Sequence, residues 1–400
     1  MPTTAAAAAT AAERVASLCD RLLEELDPHV TPAVEFLGRQ YDLGLAWVHF
    51  PEGYGGLGLS PKLQVMVNQR LAGAGAPSAY ARNPIGYGMS APTIVVHGTE
   101  EQKQRYLRPL FTGEETWCQL FSEPGAGSDS AGVATRAVRD GDEWVVNGQK
   151  VWTTLAHVSR FGTLLARTDP DAPKHKGLTH FVIDMHQPGV EVRPLRQMTG
   201  EAEFNEVYFT DARIPDHERL DAVGEGWRVA LTTLMNERVS IGGTVPPKGS
   251  GAIAAALKAW SEATERQAAH KDQLMSLWIR AEVHRLTNIR ASQLRTAGTP
   301  GPEGSVGKIV SAELNKDIYS LTMNLLGPAG MLYPESYEMT RPATAMSSGT
   351  PQKAFLRSRA NSIEGGTTEV MKNILGERVL GLPGDVRVDK DVPWSAVPRN

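Results

Sequence analysis

The sequence predicts an α+β protein with segregated layers: a helical block, then a β block, then a second helical block. Three observations carry this prediction. Apolar residues recur at helical steps before about Thr112 and again after Gly226. Between Trp117 and about Ile214 short strand-like runs alternate with turn signals. The two kinds of texture come in blocks, unlike the regular strand–helix alternation of a doubly wound sheet.

In the first block Val15, Leu18, Leu22 and Leu26 mark one helical face, and Asp27-Pro28 closes that run. Gly53 to Gly58 (GYGGLG) has the spacing of a dinucleotide fingerprint. Its context is wrong, because no helix opens on the last glycine. A structural loop is expected there, with Ser60 as N-cap and Pro61 as the first helical residue. Thr99 to Gln102 reads as a capping box ahead of Arg105 to Leu110. In the β block, Asp140-Gly141 signals a hairpin, Trp144 to Val146 continues as strand, and Asn147-Gly148 predicts another turn. Val190 to Arg193 and Glu206 to Phe209 extend the pattern. The last block carries long periodic segments, Leu274 to Leu294 and Ile309 to Leu326. The expected domains are 1–115, 116–223 and 224–384, followed by a tail over 385–400.

Composition narrows the function classes. Forty-one Lys+Arg against 45 Asp+Glu leave a net charge of −4, too little basic field for a nucleic-acid binder. Two cysteines, Cys19 and Cys118, offer no tetrahedral metal site and fit a reducing compartment. No stretch approaches the ~18 apolar residues of a membrane span. The N-terminus reads as a frayed helix, with neither a signal peptide's h-region nor a transit peptide's arginines. A cytoplasmic enzyme is the expectation.

Two motifs carry chemistry. In Phe121 to Asp129 (FSEPGAGSD), Gly125 and Gly127 let backbone approach a flat ligand, and Ser122 and Ser128 offer hydroxyls. Asn147 to Thr154 (NGQKVWTT) follows, bringing Trp152, Thr153 and Thr154 towards the same end of the β block.

Together with Ser362 to Val370 (SIEGGTTEV), Glu377 to Pro383 (ERVLGLP) and Pro51 to Ser60 (PEGYGGLGLS), this pairing resembles the acyl-CoA dehydrogenase family of flavoenzymes. The motifs span nearly the whole chain in the family's order. The resemblance implies an N-terminal α-helical domain, a central β domain and a C-terminal four-helix bundle. It implies FAD as cofactor, with Gln119, Phe121, Ser122, Gly127 and Ser128 lining the flavin loop and Ser128 also meeting substrate. Trp152, Thr153 and Thr154 fall beside the flavin ring, where the Thr154 hydroxyl can reach N5. Asn324, Gly327, Thr367 and Glu369 match stretches that hold the ADP half, the first two from a neighbouring subunit. The implied reaction removes the α-proton of an acyl-CoA thioester while the β-hydride passes to flavin N5, giving a trans-2-enoyl-CoA. An electron-transfer flavoprotein is the implied electron acceptor, and the implied assembly is a homotetramer or homodimer.

The base needs a separate argument. Many family members place a glutamate in a Tyr-Glu-Gly-Thr motif. Here that stretch reads Glu364-Gly-Gly-Thr367, so Gly365 stands at the glutamate position and Glu364 at the tyrosine position. Gly365 retains a backbone N–H for the thioester carbonyl but cannot act as base. Isovaleryl- and long-chain-type members carry the glutamate on a bundle helix, followed by arginine. Leu234 to Arg238 (LMNER) matches that position, so Glu237 is the expected base and Arg238 its neighbour in the substrate site. Glu364 remains the alternative. A base of this kind works best where desolvation raises its pKa from ~4 towards neutrality.

The sequence also departs from the family. Its Arg-x-x-Phe-Gly motif, which reaches a neighbour's FAD pyrophosphate, is absent; the region reads WSEATERQAAH from Trp260 to His270. Gly242-Gly243 and Pro246-Pro247 break the helix after Glu237, predicting a loop from Thr244 to Gly251, with Lys248 as a loop lysine. These features resemble a divergent, actinobacterial-style branch in which some members take bulky or steroid-side-chain acyl-CoAs and some form heteromers. The alternatives are a low-activity partner subunit of such a heteromer, an oxidase, and a nucleic-acid-associated relative of the alkylation-response type. The last needs a basic C-terminal patch, and the tail has mixed charge.

Overall fold

The computed structural model describes residues 4–242, 247–296, 303–334, 337–344, 349–384, 386, 389 and 391–397, with side chains for all of these except 4–9, 238–242, 295, 296 and 303. The first block holds α1 (Thr4–Glu25), α2 (Ala33–Asp42), α3 (Gln64–Gly73), α4 (Ala79–Arg82), α5 (Ala91–His97) and α6 (Glu100–Thr112). Val15, Cys19 and Leu22 of α1 pack on Phe36, Val67 and Leu71. The Thr99 capping box is present, with Gln102 reaching back to the Thr99 N–H. The Gly53–Gly58 loop is structural. A Cβ on Gly55 would stand 2.5 Å from the Tyr41 ring, and one on Gly56 2.1 Å from the Phe50 carbonyl oxygen. Ser60 caps a short 3-10 turn over Pro61–Leu63.

The β block comprises β1 (Trp117–Leu120), β2 (Arg136–Asp140), β3 (Glu143–Thr154), β4 (Phe161–Arg167), β5 (Leu178–Asp184), β6 (Val190–Pro194), β7 (Phe204–Pro215) and β8 (Arg219–Leu220). They form one sheet in the order β6-β7-β3-β2-β4-β5-β8, with β1 added parallel to β4. The hairpin at Asp140-Gly141 is present, Asp140 pairing with Glu143. Asn147-Gly148 corrects the sequence expectation: it is no turn. β3 runs through it with a bulge between Val146 and Gly148, and Asn147 instead bonds Asp211 of the neighbouring strand at 2.9 Å. A bulge and a turn use the same residue types, because both need unusual backbone angles.

The third block holds α7 (Gly226–Gly242), α8 (Ala252–Glu262), α9 (Ala268–Thr296), α10 (Glu303–Leu326), α11 (Pro351–Ser358) and α12 (Thr368–Arg378). Ile253 and Ala256 of α8, Leu274 and Leu277 of α9, and Leu314, Ile318 and Leu321 of α10 share one core. α7 ends at Gly242, and Pro247 to Gly251 is turn, as the glycine and proline pairs predict; 243–246 lie outside the described residues. Cys19 and Cys118 are both buried and unbridged, burial pushing their thiols up to about 11 and about 12. Among the described residues no helix is long and apolar enough to cross a membrane, and no cluster of ligating side chains could hold a metal ion.

Candidate functional site

The two motifs of the β domain are bound to each other directly. Val151 N donates to the Ser122 carbonyl at 2.9 Å, and Lys150 Nζ donates to the Phe121 carbonyl at 2.9 Å. Lys150 also meets Glu123 Oε1 at 2.7 Å, and its side chain has no exposed surface. Glu123 accepts in turn from the N–H groups of Ala134 and Thr135 at 2.6 and 2.9 Å. Burial alone would raise the Glu123 carboxyl. The Lys150 charge and these hydrogen bonds outweigh it and hold the group below the ordinary carboxylate range. The loop bearing Ser122 and the strand bearing Trp152 to Thr154 thus form one rigid edge.

That edge presents a surface suited to a flat ligand. Trp152 sits at φ 59° and keeps 57% of its surface exposed, its ring edge-on to Phe204 at 5.9 Å. An exposed indole in a left-handed backbone costs both strain and hydration, which a covering planar group would offset. Thr153 is buried and Thr154 half-buried, at the end of a bulge between Lys150 and Thr153. Gly125, Gly127 and Ser128 are exposed. A Cβ on either glycine would meet nothing within 4 Å, and neither has positive φ. The chain itself therefore has no need of glycine there, whereas a closely approaching ligand would. Phe121 is buried against His180, and Gln119 lies half-buried on β1 with its Oε1 buried and unpaired among the described residues.

The bundle reaches this edge through α7. Ala230 and Leu234 pack on Phe121, Ala126 and Val133. Glu237 continues the same helical face one turn further on, half-buried. Arg238 follows on the helix, but its side chain lies outside the described residues. Glu364 is held elsewhere: Arg357 grips both its oxygens at 3.1 and 2.7 Å, and Asn361 Nδ2 donates to Oε1 at 2.8 Å. Gly365 has φ 62°, a backbone that a glutamate side chain would strain.

The remaining expected residues belong to the C-terminal helices. Asn324 is exposed near the end of α10, and Gly327 closes that helix at φ 57°. Thr367 caps α12, accepting from Val370 N at 3.2 Å, and Glu369 is exposed in its first turn. In the Trp260–His270 stretch Arg266 donates to the Ser261 carbonyl at 2.7 Å and stands over the Trp260 ring. Lys248 is exposed.

Sequence reasoning gave Lys150 and Glu123 no role. The signal was present: Trp144, Val146 and Lys150 are buried positions of one strand, so the lysine needed a buried partner. It also missed the anchor of α7. His97 lies between Asp221 at 2.9 Å and Thr232 at 2.8 Å, and Thr93 meets Thr233 at 2.9 Å. Contacts between residues so far apart in sequence leave no local pattern.

Comparison with known proteins fits this geometry. Residues 3–114, 118–212 and 224–380 match the family models for the acyl-CoA dehydrogenase N-terminal, middle and C-terminal domains. Acyl-CoA dehydrogenase FadE34 of Mycobacterium tuberculosis is 40% identical over 348 residues, covering 86% of this chain but 45% of that protein. The chain thus spans about half that relative's length. Acyl-CoA dehydrogenase IpdE1 of the same organism is 39% identical over 349 residues, 86% of each chain. Among solved structures, the "Tcur3481-Tcur3483 steroid ACAD" superposes with a TM-score of 0.73 at 26% identity, over 94% of this chain and 98% of that one. The matched domains and relatives support an oxidoreductase acting on CH–CH groups. The chain belongs to the acyl-CoA dehydrogenase family, whose enzymes are flavoproteins that bind FAD.

Proposed function

We propose that this chain dehydrogenates the α,β bond of a bulky, ring-bearing acyl-CoA thioester, with Glu237 taking the α-proton. The observation that carries the reading is the position of Glu237, which follows Ala230 and Leu234 along the α7 face that packs on Phe121 and Ala126 of the flavin-side loop. Glu364 is held by Arg357 and Asn361. Gly365 supplies no side chain. This is the arrangement of the branch with its base on the bundle helix. The ring-bearing substrate rests on the likeness to a steroid acyl-CoA dehydrogenase.

The residues present fit FAD: an exposed indole, two open glycines and the hydroxyls of Ser122, Ser128 and Thr154 stand along one clamped edge. Bound there, the flavin would supply the acceptor for the β-hydride. Ser122, Ser128, Trp152 and Thr154 would hold its ring, with Ser128 also meeting substrate. Thr367 and Glu369, with Asn324 and Gly327 of a second subunit, would hold its distal half. Gly365 N–H polarises the thioester carbonyl while Arg238 lines the substrate site. Glu237 withdraws the proton that this polarisation acidifies.

An electron-transfer flavoprotein would be the electron acceptor. A multimer is supported by an apolar stripe on α9, where Met275, Ile279, Val283 and Leu286 are about half exposed at helical spacing. The domains of that multimer's subunit are 1–115, 116–223 and 224–384, with the tail beyond.

The test is Glu237→Gln. Substrate should no longer bleach the bound flavin, while FAD stays bound. Bleaching that survives Glu237→Gln and disappears in Glu364→Gln overturns the assignment. The partner-subunit reading is favoured by the missing Arg-x-x-Phe-Gly motif and by a relative long enough for a second unit. A colourless chain when purified alone, regaining flavin with a homologous partner, would support it.

A further inference from the structure

The chain continues past the last family-matched residue, 380, into a tail whose described residues return to the β domain. Trp394 is 9% exposed there. Its backbone N–H donates to the Ala172 carbonyl at 3.0 Å, and Ser395 N donates to the Pro170 carbonyl at 2.8 Å. The tail thus lies along the β4–β5 connection. The Trp394 indole packs on the Arg167 guanidinium at 4.4 Å and donates from Nε1 to the Gly132 carbonyl at 3.3 Å. Arg167, itself 2% exposed, donates to the carbonyls of Ala131 at 2.6 Å and Val133 at 3.2 Å. Lys174 lies between two carboxylates, Asp129 at 3.0 Å and Asp389 of the tail.

The Trp394 indole, Arg167 and Lys174 all reach 129–133, the segment that follows Ser128, through Gly132, Ala131 with Val133, and Asp129 respectively. The glycines before it confer backbone freedom, so the loop must be ordered by contacts from outside. Lys150 and Glu123 fix its entry. We propose that the tail is a clasp that fixes its exit, with Trp394 and Lys174 as positioning residues for the flavin- and substrate-facing turn at Gly127 and Ser128. This rests on the functional reading above. The attraction of a guanidinium to the face of an indole is strongest where both are desolvated, as here, and it biases a glycine loop towards one conformation. The hydrogen bonds and ion pair of the tail given above go to the β domain, whereas Glu237 stands on α7, so the expected effect is on binding and not on proton abstraction.

The test uses the full chain and the variants Trp394→Ala, Trp394→Phe and Lys174→Met. FAD-free protein is titrated with FAD by flavin fluorescence, and each holoprotein is assayed for KM and kcat. Trp394→Ala should raise both the FAD Kd and the acyl-CoA KM about tenfold with kcat within about twofold. Trp394→Phe should restore most of the loss, and Lys174→Met should weaken FAD about threefold. Folded Trp394→Ala with unchanged Kd and KM overturns the clasp, as does a loss confined to kcat. If Trp394→Ala does not fold, Lys174→Met decides: unchanged FAD binding overturns the proposal. A wild-type chain that binds no FAD, alone or with a homologous partner, overturns the functional reading itself.

Discussion

Lys150 and Glu123 form a buried ion pair, Nζ to Oε1 at 2.7 Å, joining the strand of Trp152 to the loop of Ser122. Removing one partner leaves an uncompensated buried charge. Lys150→Met should cost about 3–5 kcal/mol in denaturant unfolding, while Lys150→Met combined with Glu123→Gln should recover much of that loss. A Lys150→Met variant as stable as wild type would show that the pair contributes nothing.

Arg357 holds Glu364 through a two-point contact inside the C-terminal block. Glu364→Gln should lower unfolding free energy by about 1–2 kcal/mol. Flavin reduction by substrate should stay within a few-fold of wild type, as the proposed assignment of proton transfer to Glu237 requires. Stopped-flow absorbance and thermal melts separate the two effects.

Trp152 combines positive φ with an exposed ring. Trp152→Gly should relieve about 1 kcal/mol of backbone strain and lose a similar ring contact with Phe204, leaving the melting of FAD-free protein nearly unchanged. FAD affinity should nevertheless fall at least about tenfold in a flavin titration. A melting loss without an affinity loss would identify the residue as core.

His180 is fully buried and its pKa is pushed down to about 3, by burial first and then by the neighbouring His97 and Lys150 charges. The folded state therefore refuses a proton that the unfolded chain accepts below its ordinary value near 6.5. Stability should be intact above that pH and fall as pH drops, by about 2 kcal/mol at pH 5. Denaturation at pH 7 and pH 5 checks this, and His180→Leu should flatten the difference.

Local signals made most of the fold legible. The Thr99 capping box, the Ser60 cap, the Asp140-Gly141 hairpin and the helix break before Gly251 each depend on a few adjacent residues, and each is present. Asn147-Gly148 was misread because its partner, Asp211, is 64 residues away and sequence cannot show that a strand continues beside it. The two segments expected at the flavin were legible as motifs. The bonds between them were not, since Lys150 and Glu123 meet only after the sheet has formed.

The sequence by itself determined the order of helical, β and helical blocks, the loop character of the glycine cluster at Gly53, and the absence of a side chain at position 365. Those properties follow from periodicity, turn chemistry and residue identity. Tertiary structure alone decided that Glu364 belongs to Arg357, that α7 carries Glu237 down the face of Ala230 and Leu234, and that Trp394 returns to Arg167. Each of these joins residues brought together by packing of whole elements, and neither periodicity nor propensity encodes where a distant element will dock.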